Sequence, residues 1–162
     1  MRVALFTGVL VLLGGATAAG AEVVDKVVVH KERRILQLFL GDRMIREYSV
    51  ALGGNPVGHK RQEGDEKTPE GLYRLDWRNP GSGYYKSIHV SYPAPEDTKA
   101  AVASGVDPGG LIMIHGQPNY FGWLAFLTQR FDWTNGCIAV TNAEMEEIWT
   151  MVPNNTPIEI KP

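Results

Sequence analysis

The sequence predicts a mainly β fold of the β-rich α+β class, in which a few short helices accompany the strands. Two observations predict it. Short apolar stretches recur along the chain, and glycines and prolines break the chain between them. Helical periodicity, by contrast, is confined to two segments. We therefore expect strands to form the body of the fold and the helices to pack against it.

The first predicted strands include a hairpin. The valine-rich residues 23–30 predict one strand, and Ile35–Leu40 and residues 44–52 predict two more. A short connection through Gly41 and Asp42 separates the last two. Two apolar runs joined by a Gly-Asp loop are typical of a β-hairpin.

A long surface loop is predicted next, at residues 53–67, because this segment contains glycines, charges and a proline without periodicity. Loops of this length in compact domains are often functional. After it, apolar runs between glycine and proline breaks predict further short strands at residues 72–77, 86–92, 111–115 and 157–160.

Two helices are predicted. Pro95–Ser104 begins with a proline and is followed by Gly105, a residue that commonly ends helices. Residues 142–152 have the stronger signal, because Thr141 and Glu144 have the spacing of a capping box. Apolar residues three or four positions apart give this second helix one face that can pack on a sheet: Met145, Ile148, Trp149 and Val152.

The first 21 residues are typical of a secretory signal peptide. Arg2 is followed by the apolar residues 3–13 and then by residues 19–21, Ala-Gly-Ala, which form a small-x-small cleavage site. A membrane anchor is the alternative, but the apolar run is shorter than the ~20 residues that a bilayer span needs. We therefore expect residues 1–21 to be removed and residues 22–162 to form one exported domain.

The charge balance argues against one class of partner. The 162 residues carry a formal net charge of −2, from 16 Lys and Arg against 18 Asp and Glu. This balance gives no basic surplus for binding nucleic acid or an anionic membrane. We therefore expect no nucleic-acid partner, and contact with a membrane only through the signal segment during export.

The chain has one cysteine, Cys137, so it cannot form an intrachain disulfide. Two interpretations are open: a buried cysteine that acts as a small hydrophobe, or a reactive thiol. The turn formed by Thr134, Asn135 and Gly136 would expose the sulfur at the start of an apolar stretch. Gly136 would let the backbone approach a substrate closely, and backbone N–H groups in such a turn can form an oxyanion hole.

A thiol with an ordinary pKa of about 8.5 needs a partner that accepts its proton at neutral pH. Of the four histidines, His115 is the best candidate, because it ends a predicted strand and precedes Gly116. A hydrogen-bonded structural histidine is the alternative. The aromatic residues between His115 and Cys137 fit either the core or the wall of a substrate groove. A metal site is not expected, since the His and Cys residues lack the spacing of zinc ligands.

Taken in order, these motifs resemble the catalytic domain of the L,D-transpeptidases, the YkuD-type enzymes that remodel bacterial peptidoglycan. Residues 64–73 are similar to the family segment Gly-Asp-x-x-Thr-Pro-x-Gly-x-Tyr, and Lys60 precedes them. Residues 114–116, Ile-His-Gly, and 136–138, Gly-Cys-Ile, follow. The resemblance covers nearly all of residues 22–162 and implies a YkuD-like β-sandwich or barrel.

The resemblance implies a cysteine acyltransferase. Cys137 would attack the diaminopimelate carbonyl of a stem tetrapeptide and expel the terminal D-alanine, and an amine would then take the acyl group from the thioester. His115 would accept the thiol proton, and backbone amides near Gly136 would hold the oxyanion. Three further residues would support the site: Thr134, Asn135 and Gly116.

The same resemblance implies the setting of the reaction. The partners would be peptidoglycan stem peptides, or a lipoprotein anchored to the cell wall. The location would be the periplasm or the exported, wall-associated fraction. Neither a metal nor an organic cofactor is implied.

Two positions depart from the family pattern. Asn135 stands where the family has a histidine, and Ala139 stands where it has an arginine or asparagine. Asn135 cannot carry a proton, and the loss of an arginine removes a bidentate partner for a substrate carboxylate.

Because of these departures, two alternatives stay open. One is a hydrolase of the same fold, either an L,D-carboxypeptidase or an amidase that releases wall-linked protein. The other is an inactive peptidoglycan-binding module. In an active enzyme we expect the thiol to react well below its ordinary pKa, whereas in a binding module we expect an ordinary profile.

Overall fold

The computed structural model describes residues 23–162, so the predicted signal segment at residues 1–21 lies outside the described residues. The described strands are β1 (Lys26–His30), β2 (Ile35–Leu40), β3 (Arg43–Ser49), β4 (Gly71–Asn79), β5 (Ser87–Val90), β6 (Met113–His115), β7 (Ile138–Ala139) and β8 (Thr156–Lys161). The helices are α1 (Pro95–Ser104), α2 (Ala125–Thr128) and α3 (Asn142–Met151), and a 3₁₀ turn, Gly122–Leu124, precedes α2.

These strands form a single sheet in the order β3-β2-β1-β8-β4-β5-β6-β7. Most neighbours are antiparallel, but β1 pairs with β8 and β6 pairs with β7 in parallel. A connection of two residues joins β2 to β3, which confirms the predicted hairpin. The last strand, β8, lies between β1 and β4 and therefore joins the two halves of the sheet.

The sheet curls until its two edges meet. Directly after β3, Ala51 pairs with Ala139 of β7 through two backbone N–H to C=O hydrogen bonds of 2.9 and 2.8 Å. Gly53 forms a bridge with Thr134 in the same region. This contact satisfies backbone groups that an open sheet edge would expose. The predicted β-rich fold, a sandwich or barrel with a few short helices, is confirmed.

The core lies between the curled sheet and helix α3. In β8, Ile158 and Ile160 are buried while the intervening Glu159 is partly exposed, as the two-residue repeat of a strand requires. Each fully buried aliphatic side chain contributes roughly 1.5–3 kcal/mol relative to exposure. The largest of the hydrophobic residues with no exposed surface are Leu36, Leu38, Leu52, Leu75, Ile88, Ile114, Ile138, Met145, Ile148 and Ile158.

Helix α3 has the predicted capping box. The Thr141 hydroxyl accepts the Glu144 N–H at 3.3 Å, and the Glu144 carboxylate accepts the Thr141 N–H at 2.8 Å. At the other end, the Arg78 guanidinium donates to the carbonyls of Trp149 and Val152. A cation at this position satisfies the last carbonyls of the helix and complements its dipole.

Some predicted bounds differ from the structure. The strand expected at residues 111–115 begins only at Met113, because Leu111 has a φ of 54° and left-handed backbone cannot continue a strand. The strand expected at residues 44–52 ends at Ser49. Helix α2 was not predicted, because four residues are too few to show a helical period.

The longest described helices, α1 and α3, have 10 residues each. Within residues 23–162 no helix has both the length and the apolar character needed to cross a membrane.

The long loop at residues 53–67 is organised around one carboxylate. The Asp65 carboxylate accepts a hydrogen bond from the Lys60 ammonium at 2.9 Å. It also accepts hydrogen bonds from the backbone N–H groups of Arg61, Gln62 and Lys67, at 2.8, 3.1 and 3.1 Å. Burial alone would raise the pKa of Asp65, but these hydrogen bonds outweigh burial and lower the pKa to about 2. The ionised carboxylate therefore holds the loop in place.

We predict that this carboxylate makes the protein acid-sensitive. The unfolded chain binds a proton at the ordinary pKa of 3.8, whereas the folded protein resists protonation until about pH 2. The stabilisation is therefore complete above about pH 4 and is lost as the pH falls toward 2, at a cost of about 2 kcal/mol. Urea unfolding between pH 2 and 6 measures it.

Asp65→Asn should flatten the fall in unfolding free energy over this pH range. Asp42→Asn, which removes an exposed carboxyl in the hairpin turn, is the control and should leave the fall unchanged. Identical pH dependence of Asp65→Asn and the unsubstituted protein would contradict the prediction.

Candidate active site

The parallel pair β6 and β7 places Cys137 and His115 on the same face of the sheet. Ile114 is in register with Ile138, and both side chains are fully buried in the core. Because side chains alternate along a strand, His115 and Cys137, each one position away, project to the opposite face. Both line the same cavity, which has a volume of about 400 Å³.

Three chain segments form the cavity. The connection between β4 and β5 contributes one wall, the segment that leads into β6 contributes the second, and the turn before β7 contributes the third. The lining residues are Ser82, Tyr84 and Ser87; residues 110–113 with His115; and Trp133, Thr134, Asn135 and Cys137.

His115 is held as a neutral imidazole. Its Nδ1 lies 2.6 Å from the carbonyl oxygen of Gly116, and a carbonyl can only accept, so Nδ1 carries the proton. Nε2 therefore has the free lone pair. Burial lowers the pKa of His115, and the bond to Gly116 offsets this only in part. The ring lies against Tyr84 and Trp133, at centroid distances of 4.6 and 5.8 Å.

Cys137 rests as a thiol. Its Sγ lies 3.6 Å from the carbonyl oxygen of Leu111, to which the S–H donates. Burial raises the pKa of Cys137, and the backbone of Met113 and the charge of Lys60 offset this only in part. The expected thiol that ionises well below its ordinary pKa is therefore not supported, because the cavity disfavours the charged form. The pH profile of the resting thiol consequently does not separate an active enzyme from a binding module. At neutral pH the site holds a thiol and a neutral imidazole.

The turn before Cys137 is closed by a threonine. The Thr134 hydroxyl donates to the Cys137 carbonyl at 2.7 Å and accepts the Gly136 N–H at 3.1 Å. The Gly136 N–H is thus engaged within the turn in this resting structure. Gly136 has a φ of 120°, and a Cβ there would lie 2.5 Å from the carbonyl oxygen of Lys67. Only glycine fits this position.

Gly116 is also constrained by close packing. A Cβ at this position would lie 2.6 Å from the Asn142 side-chain oxygen and 3.0 Å from the Cβ of Tyr85. Gly116 therefore lets Asn142 and Tyr85 pack closely against the backbone after His115. It also supplies the carbonyl that fixes the imidazole proton on Nδ1.

The two positions that depart from the family pattern differ in their surroundings. Asn135 is exposed and lines the cavity, so its amide can reach a bound molecule. Ala139 is fully buried, and its carbonyl accepts hydrogen bonds from Ala51 and from the Gln129 amide, at 2.9 and 3.3 Å. The structure therefore uses this position to close the sheet.

The aromatic residues between His115 and Cys137 divide into two groups. Trp133 lines the cavity, whereas Trp123, Phe126 and Phe131 are largely exposed. Tyr84 and Leu111 also line the cavity but were not identified from the sequence. Both lie in irregular segments, where no periodic pattern indicates which way a side chain points.

Within residues 23–162, the acidic, His and Cys side chains do not form a metal site. In the described part of the chain, no group of three or more such residues could hold a metal ion.

Sequence comparison identifies a family. A family model described as the L,D-transpeptidase catalytic domain, YkuD, matches residues 25–160. YafK of Escherichia coli K12, whose name assigns it to the L,D-transpeptidases, is 31% identical over 133 residues. That match covers 78% of this chain and 46% of YafK.

Structural comparison gives the same fold. Pgp2 of Campylobacter jejuni, described as a helical cell shape determining protein, is 27% identical with a TM-score of 0.65, over 87% of this chain and 49% of Pgp2. Bd1075 of Bdellovibrio bacteriovorus is 25% identical with a TM-score of 0.58, over 86% and 51%. An L,D-transpeptidase of Mycobacterium smegmatis shares the fold at 13% identity and a TM-score of 0.56, over 85% and 58%. The chain spans about half the length of YafK, Pgp2 and Bd1075.

We predict that Cys137 ionises above its ordinary pKa. The rate of alkylation by iodoacetamide should rise with pH and have its midpoint above that of an ordinary cysteine thiol, since burial raises the pKa of Cys137. The same chain unfolded in urea provides the ordinary profile. A plateau of reactivity below pH 7 that disappears in His115→Gln would instead indicate a preformed thiolate-imidazolium pair.

Proposed function

The chain belongs to the family of L,D-transpeptidase catalytic domains, and on this premise we propose that it is a cysteine acyltransferase that remodels peptidoglycan. The observation that carries the proposal is the shared cavity of Cys137 and His115, in which the imidazole keeps Nε2 free as a base.

The proposed reaction has two acyl transfers. In the first, His115 Nε2 accepts the thiol proton as Sγ attacks the diaminopimelate carbonyl of a stem tetrapeptide. The bond to the terminal D-alanine breaks, the departing amine takes the proton from His115, and a thioester remains on Cys137. In the second, an acceptor amine gives its proton to His115 and attacks the thioester, and the thiol is restored.

Proton transfer and attack must be coupled in this scheme. Because burial raises the pKa of Cys137 and lowers that of His115, a free ion pair is disfavoured in the empty cavity. The thiol also has to leave its hydrogen bond with the Leu111 carbonyl and turn toward the imidazole. A bound substrate carbonyl would provide the acceptor that makes this transfer productive.

We assign the oxyanion to the backbone N–H of Cys137. In the resting structure the Gly136 N–H donates to the Thr134 hydroxyl, so Gly136 contributes through the shape of the turn. Thr134 holds that turn, and Asn135 provides a polar side chain to substrate at the cavity rim. Preformed donors of this kind stabilise charge as it develops.

The proposed setting is the bacterial cell wall. We propose that residues 1–21 direct export and that residues 22–162 act in the periplasm on peptidoglycan stem peptides. The likeness to Pgp2, which is described as determining helical cell shape, supports a role in cell shape. A wall-anchored lipoprotein is the alternative acyl acceptor or donor.

We predict that purified protein incubated with disaccharide-tetrapeptide forms an acyl-enzyme on Cys137 with loss of D-alanine, followed by cross-linked dimers. Mass spectrometry detects both species. Cys137→Ala should form neither, and His115→Asn should form the acyl-enzyme about 10²–10⁴-fold more slowly, because it lacks the base.

The products separate the alternatives. Stem peptides shortened by one residue, without dimers, would replace the transferase with a carboxypeptidase, and release of a linked protein would indicate an amidase. The absence of any acyl-enzyme and of any product would contradict the catalytic proposal and favour a binding module.

A further inference from the structure

An ion pair connects the first hairpin to the segment just before the Cys137 turn. The Arg34 guanidinium donates from Nε to both carboxylate oxygens of Asp132, at 3.1 and 2.9 Å, and from Nη2 to one of them at 2.7 Å. The two planar groups therefore fix each other's orientation as well as their distance. The Asp132 side chain is largely buried, with 17% of its surface exposed.

Arg34 is itself held in place. Its Nη1 donates to the carbonyl of Lys31 at 2.6 Å, and its own carbonyl accepts the N–H of Val50 at 2.9 Å. The guanidinium is thus anchored in the turn between β1 and β2.

Asp132 also binds the strand segment that receives the Cys137 turn. Its carboxylate accepts the Leu52 N–H at 2.9 Å. Two residues later, the Thr134 N–H donates to the Leu52 carbonyl at 3.1 Å, and the Thr134 carbonyl accepts the Gly54 N–H at 3.0 Å. The carboxylate and the threonine backbone therefore hold residues 52–54 at two points.

Further hydrogen bonds connect this segment to Cys137. The Thr134 hydroxyl bonds to the carbonyl of Cys137 and to the N–H of Gly136. Trp133, between Asp132 and Thr134, places its ring against His115. A carboxylate that fixes this segment thus sets the position of both the nucleophile and a ring that packs on the base.

We infer that Asp132, held by Arg34, is a positioning residue for Cys137 and for the Trp133 contact with His115. The inference rests on the proposed function, because it concerns the geometry of the same acyl transfer. Neither Asp132 nor Arg34 lines the cavity, so they act through the turn and not through substrate.

The test compares Asp132→Ala, Asp132→Asn and Arg34→Lys with the unsubstituted protein. With disaccharide-tetrapeptide at saturation, Asp132→Ala should lower the rate of acyl-enzyme formation by ~10²-fold, since a misplaced nucleophile loses rate on this scale. The substrate concentration at half-maximal rate should stay unchanged. Asp132→Asn should lose less, because its side-chain oxygen can still accept the Leu52 N–H. Arg34→Lys keeps the positive charge but lacks the planar guanidinium that contacts both carboxylate oxygens, so this variant should also form the acyl-enzyme more slowly.

Tyr48→Phe is the matched control. It removes a hydrogen bond of 2.9 Å to Glu147, away from the Cys137 turn, and should lower thermal stability without changing the acylation rate. All rates are measured under conditions in which near-ultraviolet circular dichroism shows that each variant is folded. A folded Asp132→Ala protein with the unsubstituted acylation rate would overturn the inference. If Asp132→Ala does not fold, unchanged rates in both Asp132→Asn and Arg34→Lys would overturn it.

A second readout does not need the proposed activity. The rate and pH midpoint of Cys137 alkylation by iodoacetamide should change in the Asp132 variants and stay unchanged in Tyr48→Phe. If the unsubstituted protein forms no acyl-enzyme, the proposed function fails, and this alkylation profile still decides the inference. An unaltered profile in all Asp132 variants would overturn it.

Discussion

The site depends on the meeting of the two edges of the sheet. Where residues 51–54 pair with Thr134 and Ala139, three backbone segments come into close contact. A Cβ on Gly53 would lie 2.0 Å from the Glu66 carbonyl oxygen and 3.0 Å from Gly136 Cα, so the segments can approach only because glycine stands there. The same contact determines where the sulfur lies. The closure of the sheet therefore fixes the position of the site.

Electrostatics in the cavity follow from this close packing. The walls around Cys137 and His115 exclude much of the water that would stabilise a thiolate or an imidazolium, so both side chains rest uncharged. Charge is instead concentrated in the supporting parts, where Asp65 binds Lys60 and Asp132 binds Arg34. These pairs fix loops, while the Cys137 and His115 side chains in the cavity rest uncharged.

Much of this arrangement could be predicted from the sequence, and the remainder has physical reasons for being missed. The hairpin, helix α3 and its capping box could be predicted because each depends on a pattern of residues close together in the sequence. Cys137 and His115 could be chosen as candidates from their chemistry and from the family resemblance, and the structure places both in one cavity. The walls formed by Tyr84 and Leu111 lie in irregular backbone, and the pairing of Arg34 with Asp132 joins residues far apart in the chain. Such contacts depend on the tertiary structure. So does the burial that raises the pKa of Cys137 and lowers that of His115, which disfavours a preformed ion pair.

The parallel pairing of β6 with β7 has a consequence for how this family can vary. Parallel neighbours require the chain to cross back over the sheet, so residues 116–136 must form an excursion that leaves beside the imidazole and returns beside the thiol. Both ends of that excursion are tied to the register of the strands, and the Gln129 amide also joins it to the Ala139 carbonyl at 3.3 Å. Its exposed surface, which carries Trp123 and Phe126, can change while His115 and Cys137, the proposed base and nucleophile, keep their places at its two ends. Substitutions on this surface can thus alter what approaches the proposed catalytic pair without altering the pair itself.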